Sequence, residues 1–136
     1  MRRLFLDTSA WVSILDTSDD CHQKASRFWS GLKNTPVKVV TSDYVLDESY
    51  TRLRLSLGLR AAIALHEIVQ QSNAITVAEV GKDVRQEAWE VFVRYADKEW
   101  SFTDCSSFVL MLRLGLTEAF TFDEHFRQMG YVVQPK

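Results

Sequence analysis

Cysteine, proline and glycine are all scarce in this chain: two, two and five among 136 residues. Each shortage removes a class of protein. Cys21 and Cys105 are too few for a disulfide framework and lack metal-ligand spacing, so reduced thiols in a cytoplasmic protein are the simpler expectation. With no repeat, low-complexity tract or Pro- or Gly-rich linker, residues 1–136 are expected to form one domain. No apolar run approaches the roughly 18 residues of a membrane span. The start, Met1 to Leu6, is basic and then apolar, but Asp7 interrupts it too early for a signal peptide. Charge of one sign is missing as well: 16 basic residues against 18 acidic leave a net charge of −2. A global basic signature for nucleic acid is therefore absent, although a local basic rim can serve the same purpose.

What is present reads as an ordinary globular chain, 46% apolar and 25% charged, long enough to bury about two thirds of its unfolded surface. Leu4 to Leu6 is a short, continuously apolar strand, and Ala10 to Leu15 a helical turn. Asp20 with Gln23 resembles a capping box for a helix through Ala25, Phe28, Trp29 and Leu32. Val37 to Thr41 is a β-branched strand. Ser42 is placed to cap a helix from Asp43 to Leu57 that stops at Gly58, and Arg60 to Gln71 follows as a second helix. Ala74 to Val77 is strand-like, and Val80 to Ala96 a long amphipathic helix. Thr103 is placed to cap a helix from Asp104 to Leu114 closed by Gly115. Glu118 to Phe122 is a strand, Glu124 to Met129 a short helix, and Tyr131 to Val133 a last strand. Strands alternating with helices, without a hairpin signal, predict an α/β fold with a parallel sheet covered on both faces.

Four acids stand out against this pattern. Asp7 and Asp123 follow apolar strands, at the carboxyl ends where parallel sheets bind ligands. Asp104 opens the apolar stretch Cys105 to Leu116, and Glu48 lies within the Asp43–Leu57 helix. Carboxylates beside buried apolar surface are costly unless they are paired or hold a cation. Two of them about 4 Å apart repel by roughly 4 kcal/mol at an effective dielectric near 20. An oxygen-only donor set favours Mg2+ or Mn2+ over Zn2+. Plainer explanations remain open on spacing alone. Asp104 suits a first helical turn, Glu48 can pair with Arg52 at i,i+4, and Asp7 or Asp123 can cap the helix that follows it.

Four blocks carry a family likeness: Leu4-Phe5-Leu6-Asp7-Thr8-Ser9-Ala10-Trp11, Glu48 in its helix, Ser101-Phe102-Thr103-Asp104-Cys105-Ser106-Ser107-Phe108, and Thr121-Phe122-Asp123-Glu124-His125-Phe126. Together they resemble the PIN-domain ribonucleases, and among them the VapC toxins of bacterial and archaeal toxin–antitoxin pairs. The resemblance runs from end to end. It implies an α/β/α sandwich with a sheet of about five parallel strands flanked by helices. Asp7, Glu48, Asp104 and Asp123 match the family's acidic positions, which implies a pocket holding one or two Mg2+ or Mn2+ ions. Ser9 and Thr121 match hydroxyl positions that support those acids. The implied activity is endoribonuclease cleavage by metal-activated water, leaving 5′-phosphate and 3′-hydroxyl ends. A VapB-like antitoxin and a toxin homodimer are the implied partners, with RNA as substrate.

Cations near the acids in sequence are candidates for an RNA-contacting rim: Arg52 foremost, then Arg54, Arg60, Lys98, Arg113 and Arg127. The four tryptophans can stack bases or fill core and dimer contacts, and Tyr44, Leu53 and Leu57 offer a partner groove. His125 is read as a helix-surface residue or a phosphate contact. Two rival readings stand beside the ribonuclease. A haloacid-dehalogenase-like phosphatase wants a second acid two residues after Asp7, where Ser9 stands. A non-catalytic PIN-fold partner-binding module would keep the acids for stability alone.

Overall fold

Leu4, Phe5 and Leu6 are completely buried in β1 (Arg2–Leu6). Successive side chains of a strand point to opposite faces, so β1 must be covered on both. The computed structural model describes residues 1–136. After β1 come α1 (Thr8–Leu15), α2 (His22–Leu32), β2 (Val37–Ser42), α3 (Asp43–Leu57) and α4 (Leu59–Gln71). Then follow β3 (Ile75–Ala78), α5 (Lys82–Arg94), α6 (Phe102–Leu114), β4 (Glu118–Phe120), α7 (Glu124–Gln128) and β5 (Val132–Gln134). The five strands lie in the order β3-β2-β1-β4-β5 with every pairing parallel. The α/β/α sandwich expected from the sequence is the fold observed.

Register assigns the layers. Leu6 pairs with Phe120, and Phe120 meets Phe28 of α2 edge-on at 4.8 Å between ring centroids. Phe5 points to the opposite face, where it meets Phe126 of α7, which in turn packs on Phe108 of α6. The sheet is thus clamped between α2 on one side and α6 and α7 on the other. Trp11 of α1, also fully buried, packs edge-on against Trp29 at 5.5 Å and donates its indole N–H to Thr41 Oγ1 at 3.3 Å.

Local chemistry explains where elements begin and end. Ser42 Oγ accepts from Val45 N at 3.0 Å and starts α3, as its sequence position predicts. Gly58 (φ +98°) and Gly115 (φ +69°) close α3 and α6 in backbone conformations that a side chain would strain. Several element ends shift by one or two residues, among them those of α5, expected over Val80–Ala96 and found over Lys82–Arg94, and three differences have a visible chemical cause. Asp19, rather than Asp20, organises the entry to α2: its Oδ1 accepts from Cys21 N at 2.9 Å and from Ser13 Oγ at 3.0 Å. Ser101, rather than Thr103, caps α6, because Ser101 and Asp104 bond reciprocally through side chain and backbone at 3.0 and 3.1 Å. β4 ends at Phe120, short of Phe122, because after Thr121 N, which still donates to Gln134 O of β5 at 3.1 Å, the following backbone N–H groups turn to side chains. Phe122 N donates to Ser9 Oγ at 2.9 Å and Asp123 N to Thr121 Oγ1 at 3.0 Å.

Thr41 lies fully buried beneath the strand ends, where its hydroxyl donates to Leu6 O at 2.9 Å while accepting from Trp11. Thr41→Val keeps the shape and strands both partners, each worth about 1–3 kcal/mol when buried and unsatisfied. Urea unfolding is expected to show a lower midpoint with unchanged slope, a loss of about 2 kcal/mol or more. An unmoved midpoint would show that these bonds contribute nothing.

Candidate active site

The chain leaves β1 for β2 and β3 on one side and reaches β4 and β5 on the other. The topological switch therefore falls between β1 and β4, the crevice where such sheets bind ligands. Asp7 is the first residue beyond β1, and its N–H donates to Phe120 O at 3.1 Å, tying the two strand ends together. Its side chain is buried, and Oδ2 accepts from Thr121 Oγ1 at 3.0 Å and from Ser9 Oγ at 3.2 Å. The two hydroxyls are themselves 3.0 Å apart. Since these same hydroxyls also take the N–H groups of Phe122 and Asp123, one small network holds Asp7 and shapes the loop that carries Asp123.

The four acids differ in what they hold. Asp7 stands at the N-cap position of α1 but makes no side-chain cap bond. Glu48 and Arg52 form no ion pair, although both face the same cleft. Asp104 does cap α6, and Asp123 Oδ1 caps α7 by accepting from His125 N at 3.0 Å. Two acids therefore cap helices, and two do not.

All four border one cleft of about 200 Å³, lined by Asp7, Thr8, Ser9, Glu48, Arg52, Glu99, Ser101, Asp104, Asp123 and His125, with no apolar residue among them. Thr121 supports it from below. A more apolar cleft of about 340 Å³, bordered by Trp29, Leu32, Val37 and Ile68, has no acid in its lining. Of the proposed rim cations only Arg52 reaches the acidic cleft. Lys98, Arg113 and Arg127 pair instead with Asp97, Glu87 and Glu124. Leu53 is core and offers no surface to a partner, whereas Leu57 is exposed. Among the tryptophans Trp11 and Trp100 are buried, and Trp89 is exposed.

Glu99 joins the cleft without any mark in the sequence, and His125, expected as a helix-surface residue or a phosphate contact, stands in the cleft wall against two of the acids. His125 Nδ1 lies 2.8 Å from Asp104 Oδ2 and 3.1 Å from Asp123 Oδ1. A signal existed in its spacing, two residues after Asp123 at the start of a helix. Glu99 had none, being one acid in the turn between α5 and α6.

Burial pushes Asp7 up to about 7, and the nearby Asp104 and Asp123 carboxylates add to that, against hydrogen bonds from Thr8 and Thr121 that lower it. Asp104 is also raised, chiefly by burial, with His125 and Ser101 opposing. Burial, then the Asp104 charge, lifts the Cys105 thiol to about 11, which removes it as a nucleophile. The cleft thus holds more negative charge than its surroundings favour. An oxygen-rich donor set under that tension fits a hard divalent cation, and Asp104, Asp123 and His125 each bring a ligand atom within 4.8 Å of the others.

Residues 4–131 match the family model described as the PIN domain. The 23S rRNA-specific endonuclease VapC20 of Mycobacterium tuberculosis is 37% identical over 134 residues, spanning 98% of this chain and 99% of that protein. The crystal structure of M. tuberculosis VapC20, described as a sarcin-ricin loop cleaving toxin, aligns with a TM-score of 0.88 at 36% identity, over 95% of this chain and 96% of that one. VapBC2 from Rickettsia felis, bound to a DNA fragment from their promoter, aligns with a TM-score of 0.69 at 12% identity over 97% of each chain, a likeness of fold alone.

Asp7 keeps its proton up to about pH 7 in the folded chain but loses it near 3.8 once unfolded. Folding therefore takes up a proton between those values, and this group's stabilisation, complete below 3.8, is lost as pH rises through 7. The metal-free chain is expected to melt at falling temperature from about pH 5 to about pH 8, more steeply than Asp7→Asn. Mn2+ should restore the wild type at the upper end, and parallel pH profiles for the two proteins would contradict the assignment.

Proposed function

The chain belongs to the PIN-domain family, and from that we propose that it is a divalent-metal-dependent endoribonuclease of the VapC toxin type, with residues 1–136 acting as one domain. The observation that carries this reading is the meeting of Asp7, Glu48, Asp104 and Asp123 around one wholly polar cleft at the carboxyl ends of the strands. We assign those four to cation binding and catalysis, with Mg2+ or Mn2+ as the ion. When bound, the cation supplies Lewis acidity towards water and phosphate oxygens.

The protein's own part is positional. Asp7 and Glu48 have no helix cap or ion pair to maintain, and the charge that buried Asp7 brings to the cleft comes at a cost in stability that a cation would offset. Ser9 and Thr121 fix the Asp7 carboxylate in direction by donating to one of its oxygens. Arg52, exposed on α3 at the cleft edge, is suited to hold an RNA phosphate and offset the negative field that the strand must enter. A wholly polar cleft of about 200 Å³ suits unpaired nucleotides of a loop rather than a duplex. Kinship to a 23S rRNA-specific endonuclease makes a ribosomal RNA loop the first substrate class to test.

A VapB-like antitoxin and a second copy of the chain are the proposed protein partners, in the cytoplasm. Exposed Trp89, Phe92 and Val93 on α5, and Leu55, Leu57 and Leu59 near the α3–α4 junction, supply apolar surface for such contacts. No helix is long and apolar enough to cross a membrane. A haloacid-dehalogenase-like phosphatase is not favoured, because Ser9 stands where that chemistry needs an acid and its hydroxyl is committed to Asp7, Thr121 and Phe122. A non-catalytic partner-binding module leaves unexplained why Asp7 and Glu48 face the cleft.

Sequencing RNA ends after incubation with the purified protein and Mn2+ tests the proposal. Products with 5′-phosphate and 3′-hydroxyl ends are expected from wild type, and none from folded Asp7→Asn or Asp104→Asn. Ser9→Ala and Thr121→Val should cost about 10- to 100-fold in activity or metal affinity, the usual toll of removing a partner that orients a ligand. Full cleavage by metal-loaded Asp104→Asn would sink the assignment.

A further inference from the structure

His125 is held against the acids by more than one restraint. Its own backbone N–H donates to Asp123 Oδ1 at 3.0 Å. Asp104, which its ring touches, is fixed by the reciprocal cap with Ser101. The short helix beneath it is anchored by fully buried Phe126, which packs on Phe5 and Phe108. One turn on, Gln128 accepts from Trp100 Nε1 at 2.9 Å. The imidazole is thus built into the cleft wall rather than left on the surface.

The separations are those of a coordination shell. An octahedral ion with bonds near ~2.1 Å places adjacent donors about 3 Å apart and opposite donors about 4.2 Å apart. Nδ1 stands 2.8 and 3.1 Å from one oxygen each of Asp104 and Asp123, matching adjacent positions. The three ligand atoms lie within 4.8 Å of one another, a spread that one ion could span.

We infer that His125 Nδ1 is a direct nitrogen ligand of the cation in this cleft, beside Asp104 and Asp123, and that it tilts the site towards Mn2+ over Mg2+. This rests on the reading of the cleft as a divalent-metal site and adds a donor outside its four acids. Mg2+ dehydrates reluctantly and is held by carboxylates, phosphates and retained waters, whereas imidazole is a ligand suited to first-row transition ions. In the empty cleft Nδ1–H donates to Asp104 Oδ2 at 2.8 Å; ligation releases that proton to solvent and uses the freed Nδ1 lone pair, with the ring proton kept on Nε2.

Mn2+ added to the full-length wild-type protein provides the test. Loss of the free-ion EPR signal reports binding, and pulsed EPR reports any directly bound nitrogen. A nitrogen coupling is expected, replaced by the nitrogen-15 pattern when histidine is isotopically labelled. The other two histidines bond elsewhere, His22 to Ser13 O and His66 to Tyr50 OH, so the coupling identifies His125. In His125→Gln the coupling should vanish, and Mn2+ affinity should fall at least about tenfold more than Mg2+ affinity in competition. Mn2+ bound to wild type without nitrogen coupling would overturn the inference while leaving the metal site standing. Absence of Mn2+ binding would overturn both. Because the decisive signal comes from wild type, a poorly folding variant does not blur the outcome.

Discussion

A buried carboxylate gripped by two hydroxyls is the interaction around which the rest of this molecule is arranged. Asp7 sits where β1 ends, out of water, with Ser9 and Thr121 donating to one of its oxygens. The same hydroxyls take up the backbone N–H groups that would otherwise extend β4. Stopping that strand early opens the loop from which Asp123 reaches the cleft. One polar cluster therefore settles a strand boundary, a loop path and the direction of an acid.

The cluster also concentrates electrostatic tension. The Asp104 and Asp123 carboxylates push Asp7 up, and Asp123 pushes Asp104 up, around a cleft with no apolar lining. The fold tolerates this because part of the charge is absorbed by hydrogen bonds: Asp104 and Asp123 each serve a helix start and each lie against His125. The remainder is a standing demand for positive charge, which Arg52 meets at the edge and a divalent ion is suited to meet at the centre.

The α/β class, the element order and the five-stranded parallel sheet were legible in the chain because apolar runs and β-branched stretches alternate cleanly with helical periodicity. Ser42, Gly58 and Gly115 announced their helix ends through local chemistry that tertiary contacts did not override. The acids at 7, 48, 104 and 123 could be picked out, but their division of labour could not. Whether Asp7 caps α1 depends on hydroxyls 2 and 114 residues away in the chain, and Thr121 carries no local mark of that duty. The cap of α6 was misplaced because Ser101 and Thr103 are both good cap residues, and only the reciprocal bond to Asp104 decides between them. His125 was read as a helix-surface residue or a phosphate contact for a similar reason: its partner Asp104 is 21 residues distant, beyond the reach of any helical spacing rule.

The split between acids that cap and acids that do not has a bearing on relatives that drift. A descendant released from selection for activity would still be penalised for losing Asp104 or Asp123, since each would unseat a helix start. Asp7 and Glu48 have no such protection. The ionised Asp7 carboxylate in particular is a burden to the empty fold, so Asn, which is neutral and keeps an acceptor for Ser9 and Thr121, would be tolerated there. Persistence of the capping pair is therefore poor testimony to a working enzyme, while retention of Asp7 and Glu48 together is the better marker that one is still being maintained.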